Sequence, residues 1–460
     1  MKSFLLIGGM LTALTGIAQT KAPAPFKAGD RVVFAGNSIT EAGFYEMYIW
    51  QYYQLHFPDQ RITVFNGGIG GDVAGQINDR FDLDIMRLKP TVVALTFGMN
   101  DSRYFEYFNT PQEKVRAEAV ATSFKSYQQI ETKLKAQPKL TKILMTSSPF
   151  DETRGGTNNK FTGKYKTMLE IAAFQEEAAK KNNWGFVDLM RPMQEINERE
   201  QKKDSMYTLT GPDRIHPGNA GHMAMAWLFL RAQGLAGTMV ADVALDGASG
   251  KLIRSVNSTI TGIKQSGGGL SFDYLAKSLP YPVDSNSHIW ENPQKQYEAL
   301  NVIPFTKEMN QEMLTVTGLN KTIKYDLSID GHSIGSWSGD DLEKGINLAL
   351  LSNTPQYQQA KQIAELNLQY RSIEQKLRAY YWLQFNYFKK KNMLYQDDQA
   401  AMDSAWIAND WAVASKKENY VEARKKEIRA GWEKLLTEIA DRIYTINKPK
   451  VHHILISAKR

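Results

Sequence analysis

The sequence predicts an α/β protein: a parallel sheet covered by helices in the first half, then a region of mixed strands and long helices. Three observations carry this reading. Short apolar runs alternate with helix-length segments up to about residue 236. The runs are nearly continuous in apolar residues, as in strands buried on both faces. After Gly237 the pattern shifts to period-two alternation and then to a helical period. At 460 residues the chain exceeds one ordinary core, so two domains are expected, with three as the alternative.

The elements follow in order. Residues 31–35, ending at Gly36, read as a buried strand, and the aromatic-rich stretch 44–57 as a helix. Residues 61–65 read as a second strand and 73–88 as a helix; 91–97 form the third strand. Thr110-Pro111 supplies an N-cap and a first-position proline for a helix reaching about residue 135. Residues 142–146 and 185–189 are the fourth and fifth strands, with a helix over 164–181 between them. A helix over 218–233 closes the series. Strands alternating with helices imply a parallel sheet, and its ligand belongs beyond the C-terminal strand ends.

Residues 314–318 and 324–329 alternate with period two, and Asp330-Gly331 is a turn signal. From Thr354-Pro355 the period is helical. Ile363, Leu366, Tyr370, Ile373, Leu377 and Tyr380 form a packing seam, and a second helical stretch covers about 420–444. Residues 451–457 read as a strand. The expected domains are 25–236 and 240–460. The second is β-rich over 240–350 and 451–458, with a long helical hairpin inserted at about 354–447.

Bulk properties exclude several function classes. Composition is that of a globular protein, 42% hydrophobic and 23% charged. The net charge of +7 is mostly interleaved with acidic residues, and the dense run Lys389-Lys390-Lys391 reads as a solvated helix end. No nucleic-acid partner is therefore expected. With no cysteine, disulfides, thiolate metal sites and cysteine nucleophiles are ruled out. His288, His332, His452 and His453 lack ligand-like spacing with carboxylates, and no metal or other cofactor is expected. Residues 1–18 read as a signal peptide. Lys2 opens it, 4–18 is apolar, and Gly16-Ile17-Ala18 precedes cleavage before Gln19. Export to the periplasm or beyond is expected, without a stable membrane span. The oligomeric state is left open.

Four segments carry chemistry: Gly36 to Thr40 after the first strand, Asn66 to Asp72 after the second, Gly98 to Asp101 after the third, and Asp213 to Pro217 before the closing helix. Together they point to acyl transfer. A serine hydroxyl needs a base to take its proton. His216 is the histidine of this region that lies in such a loop, and Asp213, three residues earlier, can orient its imidazole. Ser38 is thus the candidate nucleophile, with Asp213 and His216 as partners. The tetrahedral intermediate needs preorganised donors: the backbone N–H groups of Ser38 and Gly71 and the side-chain amide of Asn100.

These segments resemble, in order and spacing, the marker blocks of the SGNH/GDSL hydrolase family. Gly36-Asn37-Ser38 is similar to its Gly-Asp-Ser block, and Gly71 before Asp72 matches its oxyanion glycine. Gly98 to Asp101 matches its Gly-x-Asn-Asp block, and Asp213 to His216 its Asp-x-x-His block. The resemblance covers about residues 28–235 and implies a flavodoxin-like three-layer α/β/α sandwich. One departure is Asn37, where the family usually has Asp. Asn can still accept the hydrogen bond that ties the loop, so activity is expected to persist. No Gly-x-Ser-x-Gly elbow is present, which argues against an α/β-hydrolase. Gly67 to Gly71 lacks the Lys-Ser/Thr pair of a phosphate loop.

The resemblance implies a serine esterase that removes acyl groups; with the expected export, no lipid-like hydrophobic surplus and the family's frequent use on O-acetylated glycans, acetyl on a carbohydrate is the expected substrate. Two alternatives stand beside it: a lipase, thioesterase or arylesterase on apolar acyl chains, and a non-catalytic glycan-binding protein of the same fold. Trp290, Trp337, Trp382, Trp406 and Trp411 are candidates for a sugar platform, though most such aromatics are core. His222 reads as structural. A neutral His216 is required, so activity should rise through about pH 6–7.

Overall fold

The computed structural model describes residues 20–266, 268–289 and 292–459. The expected signal peptide (1–18) and Trp290 lie outside these residues.

Five strands form one all-parallel sheet: β1 (Arg31–Gly36), β2 (Thr63–Gly68), β3 (Val92–Phe97), β4 (Thr141–Thr146) and β5 (Gly185–Val187). Their order is β2-β1-β3-β4-β5, the flavodoxin-like order. Alternate residues of β1 serve two cores. Val32 and Phe34 pack with the helices Tyr45–His56 and Asn219–Ala232, while Val33 and Ala35 pack with Ala74–Arg80 and Gln112–Lys135. The strands are apolar throughout because both sheet faces are covered. The chain leaves β1 for β2 on one side and returns to β3 on the other, so a crevice opens at the C-terminal end of β1.

Several boundaries differ from the sequence reading. β2 extends to Gly68, with Gly68 in register with Gly36. Glycine is needed at 68 because a short helix, Ser38–Glu41, lies directly on the strand, and at 67 because Val33 and Phe34 of β1 crowd the position of a Cβ. A Cβ on Gly68 would sit 2.1 Å from the Glu41 nitrogen. The segment expected as one helix over 73–88 is α-helical only over Ala74–Arg80. It continues as a π-turn over Phe81–Ile85 and a 3₁₀ turn over Met86–Leu88. Thr110 is not the expected cap: Pro111 occupies the cap position of Gln112–Lys135. The helix Met190–Gln201 was not expected. Pro192 in its first turn masks it, although Asp188 accepts hydrogen bonds from the Met190 and Arg191 N–H groups.

The remaining strands build two further sheets. β6 (Ala241–Asp246), β7 (Lys251–Val256), β10 (Glu312–Thr317) and β13 (Ile346–Asn347) form one, ordered β13-β10-β6-β7. β8 (Ser258–Ser266), β9 (Gly269–Ala276), β11 (Lys324–Ile329), β12 (His332–Ser338) and β14 (His452–Ala458) form the other, ordered β12-β11-β14-β9-β8. Inward residues of both sheets, among them Val243, Leu245, Phe272, Val316, Leu327 and Ile456, share one core, as in a sandwich. The last strand therefore pairs in the middle of a sheet whose other strands precede the helical segment.

That helical segment is not the simple hairpin expected. The helix Pro355–Trp382 runs on through a π-turn (Leu383–Phe388). Three more helices follow: Gln399–Trp406, Trp411–Ala423 and Lys426–Ile446. Asp398 and Asp410 cap the two added helices through their side chains. The expected seam is real, with Ile363, Tyr370, Leu377 and Tyr380 buried and Leu366 and Ile373 half-buried. It packs on the first half of the chain: the Tyr370 ring meets Trp50 edge-on at 4.9 Å. One continuous apolar core thus joins the helical segment to one face of the parallel sheet. Among the described residues, no helix is long and apolar enough to cross a membrane.

Candidate active site

The four segments singled out in the sequence meet at the crevice beside β1. Ser38 opens the short helix immediately after the strand. Asn37 before it is extended, and its side-chain oxygen accepts from the Ile39 N–H at 3.0 Å. The acceptor that the loop needs is thus present in Asn as it would be in Asp.

The Ser38 hydroxyl lies 2.9 Å from His216 Nε2, and His216 Nδ1 lies 2.5 Å from Asp213 Oδ2. The other Asp213 oxygen accepts the backbone N–H groups of Ile215 and His216, both at 3.0 Å. One carboxylate therefore shapes its own loop and orients the ring. Burial alone would raise the Asp213 pKa. The hydrogen bond and charge of His216, with those two N–H groups, hold it below the usual carboxylate range. An ionised Asp213 accepts the hydrogen bond from Nδ1–H, the arrangement that leaves the Nε2 lone pair facing the serine hydroxyl.

Arg214, between Asp213 and His216, was not singled out in the sequence. It is buried with φ of 66°, and its guanidinium donates to the carbonyls of Asn158, Asp151, Arg154, Gly155 and Gly156. This anchor fixes the loop carrying Asp213 and His216 to the segment after β4.

The expected oxyanion donors are also at this edge. Gly71 has φ of 85°, which favours glycine, and open space lies where its Cβ would be. Among the described residues, neither the Ser38 nor the Gly71 N–H has an intramolecular hydrogen-bond partner. Asn100 donates from Nδ2 to the Asp72 carbonyl at 2.9 Å and accepts the Tyr104 hydroxyl at Oδ1 at 2.6 Å. Its second amide hydrogen remains for a ligand.

Cross-links hold the loops in mutual register. Asn66 accepts the Gly68 N–H and donates to the Thr40 carbonyl. Asp101 accepts the Gly98 and Ala74 N–H groups, joining the third segment to the start of the helix that follows the second. Lys164, fully buried, donates to Met99 O, Ser102 Oγ and Arg103 O, and burial drives its pKa well down. Beneath the second segment lies a buried ionic network. Arg80 pairs with Asp72 and Asp84 and donates to the Gly36 carbonyl, and Arg378 pairs with Asp84 through both terminal nitrogens. Burial alone would raise Asp84, but Arg378 and Arg80 outweigh it and push it down to about 2.

Other candidates sit elsewhere. His222 is buried, with Nδ1 accepting the Tyr45 N–H, and burial lowers it to about 3. His452 and His453 pair with Asp330 and Asp273, partners more than 120 residues away. Of the candidate platform residues, Trp382 is buried and Trp337 half-buried in the second-half sandwich, while Trp406 and Trp411 are exposed. Tyr104, which bonds Asn100, belongs to an aromatic cluster that the sequence reading passed over. Phe161 contacts the rings of Tyr104, Phe105 and Phe108, and the last two are exposed.

The model of the GDSL-like lipase/acylhydrolase family matches residues 34–224, and that of the diltiazem deacetylase C-terminal helical domain matches 361–448. A solved structure of a gut microbial diltiazem-metabolizing enzyme is 42% identical. The match covers 95% of this chain and 99% of that one, with a TM-score of 0.92. The chain belongs to the GDSL-like lipase/acylhydrolase family. An acetylxylan esterase of Geobacillus stearothermophilus is 26% identical over 223 residues, covering 45% of this chain and 95% of that protein. This GDSL-like protein is accordingly a carboxylic ester hydrolase.

Proposed function

We propose that the protein is a serine O-deacetylase working through an acyl-enzyme, with Ser38 as nucleophile, His216 as general base and then acid, and Asp213 as its orienting anion. The single observation that carries this is the continuous relay from Ser38 Oγ to His216 Nε2 at 2.9 Å and from His216 Nδ1 to Asp213 at 2.5 Å. His216 takes the hydroxyl proton as Ser38 attacks the ester carbonyl. The Ser38 and Gly71 N–H groups and the Asn100 amide receive the oxyanion. His216 then returns the proton to the leaving alcohol, and water repeats the cycle on the acetyl-enzyme.

Acetyl is the acyl group that two likenesses support: residues 361–448 match the model of a diltiazem deacetylase helical domain, and one relative is named an acetylxylan esterase. A carbohydrate ester is the leading substrate class. A small aromatic acetyl ester is the second reading, supported by the full-length likeness to the diltiazem-metabolizing enzyme and by the exposed Phe105 and Phe108, which share the Phe161 cluster with Tyr104. The apolar stretch 4–18 supports export to the periplasm or beyond.

The test is acetate release from acetylated xylan, diltiazem and p-nitrophenyl acetate, with p-nitrophenyl octanoate as the long-chain control. Wild-type release that disappears in Ser38→Ala supports the reading, and the panel names the leaving group. Octanoate cleaved faster than acetate, or undiminished turnover by Ser38→Ala, would overturn it.

A further inference from the structure

We propose that Trp382 and Asn386, from the C-terminal helical segment, are positioning residues for the Gly71 oxyanion donor. This rests on the reading of Gly71 given above.

The Gly70 carbonyl and the Gly71 N–H belong to the same peptide unit, and in a trans peptide they point in opposite directions. Whatever holds the carbonyl also aims the N–H. The Gly70 carbonyl receives two side-chain donors: the Trp382 indole N–H at 2.9 Å and the Asn386 amide at 3.2 Å. With that side of the plane pinned by two donors, the Gly71 N–H faces away from the helical segment. Among the described residues it meets no internal acceptor, and it is free to receive an oxyanion. Two donors on one carbonyl also polarise the peptide and strengthen the N–H as a donor.

Each of the two side chains is itself held. Asn386 Oδ1 accepts the Gln76 side-chain amide at 2.8 Å, which fixes the amide so that its nitrogen faces Gly70. The Trp382 ring carries the Lys416 ammonium 4.6 Å from its centroid. The backbone between them adds a third constraint. Trp382 is the last α-helical residue, and the π-turn Leu383–Phe388 follows, so Asn386 lies on the face that Trp382 presents to the loop. One turn earlier, Arg378 Nε donates to the Gly68 carbonyl at 3.0 Å. The helical segment thus grips the oxyanion loop at Gly68 and at Gly70. An isolated α/β domain would present this loop without these donors. In that sense the C-terminal half completes the active site.

The test uses the full-length enzyme with Trp382→Phe, Asn386→Leu and the double variant. Readouts are kcat and KM for p-nitrophenyl acetate from pH 5 to 9, the affinity for a boronic acid that forms a tetrahedral anionic adduct on serine, and the thermal midpoint. Losing an oxyanion donor outright costs on the order of 100- to 1000-fold in rate, so misaligning one should cost about tenfold per anchor and about a hundredfold in the double variant. KM should stay within about threefold, boronate affinity should fall with kcat, and the pH midpoint should not move, because the relay is untouched. A folded double variant with wild-type kcat and boronate affinity, measured where Ser38→Ala is inactive, would overturn the proposal alone. So would a loss confined to KM. Activity surviving in Ser38→Ala would instead remove the parent reading. If Trp382→Phe does not fold, Asn386→Leu, at a half-buried position, carries the same readouts.

Discussion

The Tyr104 hydroxyl donates a 2.6 Å hydrogen bond to the side-chain carbonyl of Asn100. An amide can present either end to a ligand, and only the nitrogen end stabilises an oxyanion. Tyr104 occupies the oxygen end, and Asp72 O accepts one amide hydrogen. Tyr104→Phe removes the lock and should lower kcat about tenfold with KM little changed. Equal kcat in the variant would show that Asn100 is held without Tyr104.

Asp213 performs two tasks, and Asp213→Asn separates them. Asn can still accept the two backbone N–H groups of its loop, but it cannot stabilise an imidazolium and can favour the wrong tautomer. A loss in kcat of about 10⁴-fold is expected, with the unfolding midpoint nearly unchanged. A loss below tenfold would mean that His216 does not depend on this carboxylate.

Phe105 and Phe108 are exposed large apolar residues, 68% and 59% accessible, clustered on Phe161 beside Tyr104. Replacing both with Ala should raise KM about tenfold for bulky aromatic esters, the effect of roughly 1.4 kcal/mol of lost ring contact. KM for methyl acetate should change less than about threefold. An equal change on both substrates would assign the pair to folding instead of leaving-group contact.

The link between the second-half sheets and the helical segment makes stability depend on pH. Glu312 is fully buried where β10 meets the helix Pro355–Trp382. Its Oε1 accepts the Tyr274 hydroxyl and the Gln356 amide. Burial outweighs those bonds and raises it to about 7 from 4.5. The folded state therefore holds a proton that the unfolded state has lost between those values, so stability falls as pH rises from about 4.5 to about 7. The interval corresponds to roughly 3 kcal/mol. Glu312→Gln should match the wild type near pH 4.5 and exceed it at pH 8 by a few kcal/mol, read from denaturant unfolding. Equal stability at pH 8 would contradict a neutral Glu312.

Much of the parallel sheet and of the candidate site beside it was legible because the signals are local. β1 and β3 are continuous apolar runs ending in the loops that carry Ser38 and Asn100. Asp213 and His216 lie three residues apart, so sequence spacing nearly equals spatial spacing. The supports were not legible. Trp382 reaches Gly70 across 312 residues, and Arg214 meets five carbonyls of a loop more than 50 residues away. No periodicity records such contacts. The two π-turns share the apolar pattern of an ordinary helix, so 73–88 read as one element. The break of the hairpin into more helices had a usable signal in Asp398 and Asp410, both side-chain N-caps.

On this mechanism Ser38, activated by His216, becomes acylated. The most direct measurement is intact-protein and peptide mass spectrometry after treatment with a fluorophosphonate, which captures activated serines. One adduct per chain on the peptide containing Ser38, with loss of esterase activity in proportion and no adduct in Ser38→Ala, is the predicted result. Stoichiometric labelling at another residue, or full labelling in Ser38→Ala, would contradict the account.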